Sequence, residues 1–371
     1  MRDFKNVKRV VVKIGSSSLV NKDLSINLPV IVNVMENFKN LIDKGIEVVL
    51  VTSGAIALGM HELGMSKKPS VMALKQACAA LGQAKLMEAY NKASEIYNLK
   101  VGQILVNHDD FQVRKRMLYL TNTLDEMFKQ KIIPIINEND ALAVDEIKVG
   151  DNDTLASMIA PIVKADLLIL FSDIDGLYDK NPKLYQDAKL INEISEITEE
   201  LNSMVSDSST NVGTGGMITK ITAAKIATSA KVDMIICNSN RISNILDIIN
   251  GDVIGTLFKK NEIGITTRDH WLIYSTNSCG AIILDKGLIN KLSEKKVSIL
   301  AKGVTRVTGE FLRGSIIDVL DESGKKIAKG ITNFSSNEID KIKGLNTKEY
   351  ESVLNHLAKK EIIHANDLVI L

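Results

Sequence analysis

Cysteine, histidine and aromatic residues are all scarce in this 371-residue chain, and each scarcity closes off a class of explanation. Three cysteines, Cys78, Cys237 and Cys279, stand far apart with no CxxC pair. So sparse and odd a set fits a reducing compartment better than a disulfide scaffold. Cys78 and Cys237 lie in apolar contexts and are expected in the core rather than as nucleophiles. His61, His108, His270, His356 and His364 lack metal-ligand spacing, and none suits a catalytic triad. An excess of either charge is also missing: 46 Lys and Arg against 45 Asp and Glu leave a net of +1. No global field therefore recruits nucleic acid or an anionic membrane. There is no 18-residue apolar run, and the apolar core of the first fifteen residues is too short for a signal peptide. A soluble, cytoplasmic protein is expected.

Two acidic clusters stand out from this balanced background. They are Asn137-Glu138-Asn139-Asp140 and Gly150-Asp151-Asn152-Asp153-Thr154. Positions 137 to 153 hold six carboxylates against the single Lys148. Like charges so dense are unfavourable unless positive charge gathers there, so a cationic ligand, a metal or lysines from elsewhere are expected. The interspersed asparagines add neutral donors, which suit a polar anionic substrate. An acidic solvated loop is the plainer alternative.

Along the chain, short Val/Ile/Leu runs alternate with helical patterns. VVVKIG (10 to 15), IEVVLVTSG (46 to 54), VGQILVN (101 to 107), IIPII (132 to 136), DLLILFSDIDGLY (166 to 178) and VDMIICN (232 to 238) form the series of strand-like runs. Apolar residues at Leu28, Ile31, Met35, Phe38 and Ile42 follow helical spacing, and an Ala-rich helical stretch runs through Tyr97. This alternation predicts an α/β fold with an open, mostly parallel sheet sandwiched by helices. Ligands in such sheets bind beyond the carboxyl ends of the strands, where every polar motif here falls. The alternation stops after Phe258. Residues 1–258 are expected as one domain, 259–276 as a linker and 277–371 as a small β-rich domain, in which Glu322-Ser323-Gly324-Lys325 signals a hairpin.

Lys13 is the only charge in its strand, which runs into Gly15 and three serines. Small residues after a strand leave N–H groups able to hold phosphate oxygens; a lysine snorkelling from a strand end is the alternative. Gly213-Thr214-Gly215-Gly216-Met217-Ile218-Thr219-Lys220 enters an Ala-rich helix. It is neither a Walker loop nor a dinucleotide fingerprint, yet three glycines before a helix permit close approach to an anion. Two lysines on glycine-flanked loops beside an acidic cluster point to phosphoryl transfer. Thr52-Ser53-Gly54 offers a hydroxyl and N–H groups for a carboxylate. Ser172-Asp173-Ile174-Asp175-Gly176 either holds a nucleoside or forms a plain Asp-Gly turn.

Taken in order and spacing, VVVKIGSSSL, VTSGAIALG, INENDALAVDEIKVGDNDTLAS, FSDIDGLYDKNP and GTGGMITK resemble the glutamate 5-kinases. These are a branch of the amino-acid kinase superfamily with a C-terminal PUA domain. The resemblance covers nearly the whole chain and implies the amino-acid kinase fold. It implies ATP-dependent phosphorylation of the γ-carboxylate of L-glutamate, the first step of proline biosynthesis, with Mg2+ and feedback inhibition by proline. It makes Lys13 and Lys220 the lysines that neutralise the transferring group, with Asp151 and Asp153 organising lysines and metal. Ser53, Asp140 and Asn152, with Asn137 beside them, fall at glutamate-binding positions. Lys13, Ser172, Asp173, Thr214, Gly215, Gly216, Met217, Ile218, Thr219 and Lys220 fall at ATP-binding positions. Ser172 stands where the family pattern has threonine, which keeps the hydroxyl.

A homo-oligomer, dimer or tetramer, is expected by the same resemblance. PUA domains commonly bind RNA, so an RNA-binding module is the alternative for the C-terminal part. Residues 280 to 371 carry 15 Lys/Arg and 12 Asp/Glu, with only Phe311, Phe334 and Tyr350 as aromatics. That is well short of a basic, stacking nucleic-acid footprint, and a role in regulation or assembly is favoured.

Overall fold

A computed structural model describes residues 1–142, 152–182, 184–198, 201, 216–354 and 359–371. The chain divides into two units, Met1–Ile265 and Thr266–Leu371.

Eight strands of the first unit form one sheet among the described residues: β1 (Arg9–Ile14), β2 (Glu47–Val51), β3 (Lys100–Val106), β4 (Ile132–Glu138), β5 (Leu167–Ser172), β6 (Glu193–Ile194), β7 (Asp233–Asn238) and β8 (Thr256–Phe258). Their order is β3-β4-β2-β1-β5-β7-β8-β6. All neighbours pair in parallel except β7 and β8, which are antiparallel. The sheet is thus mostly parallel, as expected, and the reversal falls at Thr256–Phe258, where the sequence alternation ended.

Strand alternation sorts the buried residues onto two faces. Val10, Val12, Ile14, Val48, Leu50, Ile133 and Ile135 join one apolar cluster with Ile31, Phe38, Leu86 and Tyr90 from the helices Leu28–Asp43 and Met72–Ile96. The intervening Val11, Val49, Leu168 and Leu170 are equally buried. They face the other way, where the helices Asn152–Ile162 and Met217–Ser229 pack on β1, β5 and β7. Burial on both faces explains the uninterrupted Val/Ile/Leu runs.

That alternation also decides where the polar strand ends point. Lys13 follows Val11 toward Asn152–Ile162 and Met217–Ser229. Thr52 and Asn137 follow Leu50 and Ile135 toward Met72–Ile96.

In the second unit, β9 (Ala281–Leu284), β10 (Val304–Thr308), β11 (Ile316–Leu320), β12 (Lys326–Ile331) and β13 (Leu368–Ile370) form a sheet of order β10-β9-β11-β12-β13. The predicted hairpin joins β11 to β12. Asp321 Oδ1 accepts from the Ser323 and Lys325 amides, and Gly324 takes the left-handed conformation (φ +86°) that the turn requires. The expected linker region contains a helix, Thr267–Tyr274, whose N-cap Thr266 accepts from the amide of Asp269.

Candidate active site

The carboxyl ends of β1, β2, β4 and β5 lie side by side, because these strands are parallel neighbours. Lys13 is the penultimate residue of β1 and is 8% exposed. Its Nζ lies 2.5 Å from Asp153 Oδ1, and Lys220 Nζ donates to Asp153 Oδ2 at 3.0 Å. Asp153 is 1% exposed and Lys220 4%. Burial alone would raise the Asp153 carboxyl, but the two ammonium groups outweigh it and hold it below the usual carboxylate range. Two buried lysines thus converge on one carboxylate, an arrangement complementary to a phosphoryl oxygen.

Beside it lies a network of amides. Asn152 Nδ2 donates to the Thr52 carbonyl at 2.7 Å, to Ser53 Oγ at 2.7 Å and to Asn137 Oδ1 at 3.1 Å. Asn137 is buried, and its Nδ2 donates to Gln83 Oε1 at 2.9 Å. The Thr52 hydroxyl shares a 2.8 Å hydrogen bond with Tyr90. Gly54 allows the strand to turn sharply into the helix Ala55–Glu62, with φ at +100°. Asp140 lines a cavity of about 300 Å3 with Gln83, Gln103, Glu138 and Asn139. Burial raises its carboxyl, and Lys68 opposes that rise.

Ser172 ends β5 beside β1 and is buried, with its hydroxyl donating to Asp173 Oδ1 at 2.9 Å. Gly216 caps the helix Met217–Ser229 without a side-chain hydrogen bond, so that terminus suits an anion. Asp151, Thr214 and Gly215 lie outside the described residues. The structure therefore brings Lys13, Asp153 and Lys220 together, and separately joins Ser53, Asn137 and Asn152. Gln83, Thr52 and Tyr90 are additions. Gln83 reads in sequence as one polar residue of an Ala-rich helix, and its position after Gly82 was the available signal.

Comparison with known proteins shows the family. The amino acid kinase family matches residues 8–238, and the PUA domain matches 280–354. The chain belongs to the amino acid kinase family. A glutamate 5-kinase of Thermoanaerobacter sp. is 42% identical over 364 residues, covering 98% of both chains. That of Carboxydothermus hydrogenoformans is 43% identical over 376 residues, covering all of both. Within the family the chain therefore belongs with the glutamate 5-kinases. Among solved structures, the isopentenyl phosphate kinase of T. acidophilum is 18% identical with a TM-score of 0.47, covering 68% of this chain and 100% of its own.

Proposed function

We propose that the protein transfers the γ-phosphoryl group of ATP to the γ-carboxylate of L-glutamate, forming L-glutamyl 5-phosphate and ADP, the first step of proline biosynthesis. Full-length similarity to glutamate 5-kinases supports this reading. The observation that carries the chemistry is the buried pair of lysines on Asp153.

The γ-carboxylate is already ionised at neutral pH, so its oxygen attacks phosphorus without a general base. One P–O bond forms as the bridging bond to ADP breaks, and the electron pair leaves on the β-phosphate oxygen. The charge on the transferring oxygens is met by Lys13 and Lys220, which Asp153 holds in place before reaction. Asp140 takes the α-ammonium, while Ser53, Asn137 and Asn152 arrange hydrogen bonds to the amino acid. ATP lies toward Ser172, Asp173 and the helix that starts at Met217, with the glycines before it. Both oxygens of Asp153 are engaged by ammonium groups, and among the described residues no cluster of three acidic, His or Cys side chains could hold a metal. Mg2+ would come with the nucleotide and neutralise phosphate charge there, with Asp151 or Asp153 as the carboxylate nearest to it.

Feedback inhibition by proline, assembly as a homo-oligomer and a cytoplasmic location complete the reading. Among the described residues no helix is long and apolar enough to cross a membrane.

Hydroxylamine traps acyl phosphates as hydroxamates. ATP turnover with hydroxylamine should yield a hydroxamate with L-glutamate but not with aspartate or N-acetylglutamate. Turnover that does not depend on glutamate would overturn the assignment.

A further inference from the structure

The helix Met72–Ile96 delivers two polar side chains toward the site, Tyr90, which bonds the Thr52 hydroxyl, and Gln83. Gln83 is 8% exposed. Its neighbour Gly82 lets this helix touch the backbone of Ala55–Glu62, since a Cβ at Gly82 would lie 1.8 Å from the Ala55 carbonyl oxygen. Backbone groups dictate the polarity of the amide chain that begins at Gln83. The Glu138 N–H donates to Asn137 Oδ1 at 2.9 Å, so that atom is an oxygen and Asn137 Nδ2 faces Gln83. Gln83 must answer with Oε1. Its Nε2 is left buried with no partner among the described residues. At the other end, Asn152 Nδ2 is committed to the Thr52 carbonyl, which leaves Asn152 Oδ1 buried and likewise without a partner among them. A buried donor left unmet is unfavourable, and such groups call for an explanation beyond packing.

Gln83 also lines the 300 Å3 cavity that holds Asp140. The Asp140 carboxyl is disfavoured as an anion by its burial, which an ammonium group would relieve. A glutamine whose N–H lacks a partner among the described residues and a carboxylate, both lining one cavity, are complementary to a carbon bearing both carboxylate and ammonium.

We propose that Gln83 is a substrate-binding residue that sets amino-acid specificity, its Nε2 donating to the α-carboxylate of glutamate while Asp140 receives the α-ammonium. The proposal rests on the glutamate kinase reading above and adds a contact to it. Because Asn137 occupies Oε1, the Gln83 amide cannot flip to offer an acceptor, so the pocket takes an oxygen there and rejects a donor. The chain Gln83–Asn137–Asn152 ends one residue from Asp153, which ties the placing of the amino acid to the phosphoryl-transfer lysines.

Gln83→Glu tests this, because it keeps an oxygen for Asn137 and replaces the donor with an anionic oxygen. The KM for L-glutamate should rise roughly 10- to 100-fold, the range for a lost hydrogen bond to a charged group, while the KM for ATP stays at the wild-type value. The Ki of 4-aminobutyrate, which lacks the α-carboxylate, should not rise. Relative to wild type, the glutamate defect should shrink as the pH is lowered, since the introduced carboxyl group regains an O–H donor once it is protonated. Should Q83E fail to fold, the near-isosteric Gln83→Met variant, checked by thermal melting, should show the same split between glutamate and 4-aminobutyrate. An unchanged glutamate KM, or equal weakening of both ligands, would overturn the proposal. Failure of the underlying reading is distinguishable, because wild-type enzyme would then form no glutamyl hydroxamate.

Discussion

Lys220 reaches across 67 positions of sequence to donate to Asp153 at 3.0 Å, from the first turn of one helix to the first turn of another. Asp153 suits a helix N-terminus, whose dipole favours negative charge. Lys220 does not, and its burial there is opposed by both the dipole and desolvation. The proposed phosphoryl transfer gives a reason for a lysine held against those costs.

Replacing either lysine separates binding from chemistry. Lys13→Met and Lys220→Met should each lower kcat by roughly 10²-fold or more, as loss of a preorganised charge-stabilising donor does. The hydroxamate assay measures this. Wild-type turnover in either variant would remove that lysine from the mechanism.

Asp153→Asn should cost stability as well as activity. It leaves two buried ammonium groups without their counter-charge, a loss on the order of 3–5 kcal/mol by analogy with broken buried pairs. The Asp153 carboxyl is depressed in the folded protein, so its contribution is present above the unfolded carboxylate value and is lost as pH falls through the folded one. Denaturant curves for both proteins should show a constant gap near neutral pH that closes below about pH 4. A gap independent of acidity would contradict the pairing.

Gly82→Ala tests the close helix contact. The added methyl would meet the Ala55 carbonyl oxygen at 1.8 Å and the Gly59 amide nitrogen at 2.4 Å. Neither is a flexible side chain, so the helices must separate, at roughly 1–3 kcal/mol for an overpacked site. Equilibrium unfolding should register that loss. If Gln83 moves with its helix, glutamate KM should rise in the same variant.

In the second unit, Glu338 closes a capping box with Ser335 and pairs with Arg313 through both oxygens. The Arg313 hydrogen bonds hold its carboxyl down at about 2. Glu338→Ala should destabilise this unit by about 1–2 kcal/mol, as loss of a cap does. Thermal melting at neutral pH checks it, and an unchanged melt would mean the helix Ser336–Ile342 does not depend on its cap.

Much of the site was legible because its chemistry demands unusual residues in unusual places. A lysine closing an apolar strand, acids beside asparagines and glycines before a helix are each hard to justify by packing alone. The parallel sheet was legible for a similar reason, since strands covered on both faces cannot alternate apolar and polar residues. Gln83 stayed hidden because a glutamine is ordinary on a helix, and burial is not visible in its neighbours. The antiparallel β8 was equally hidden, because a three-residue apolar strand carries no direction.

The amino-acid sequence by itself determined the strand and helix periods and the C-terminal hairpin turn, and it supplied the candidate residues for handling a phosphoryl group and an amino acid. Those follow from local chemistry and short spacings. Only the tertiary structure decided that Lys13 and Lys220 would share one carboxylate, and that Gln83, Asn137 and Asn152 would form a chain of fixed polarity. Such pairings depend on which strands become neighbours and which face each side chain takes. Strand order and helix approach, down to the contact at Gly82, are set by packing between segments distant in sequence.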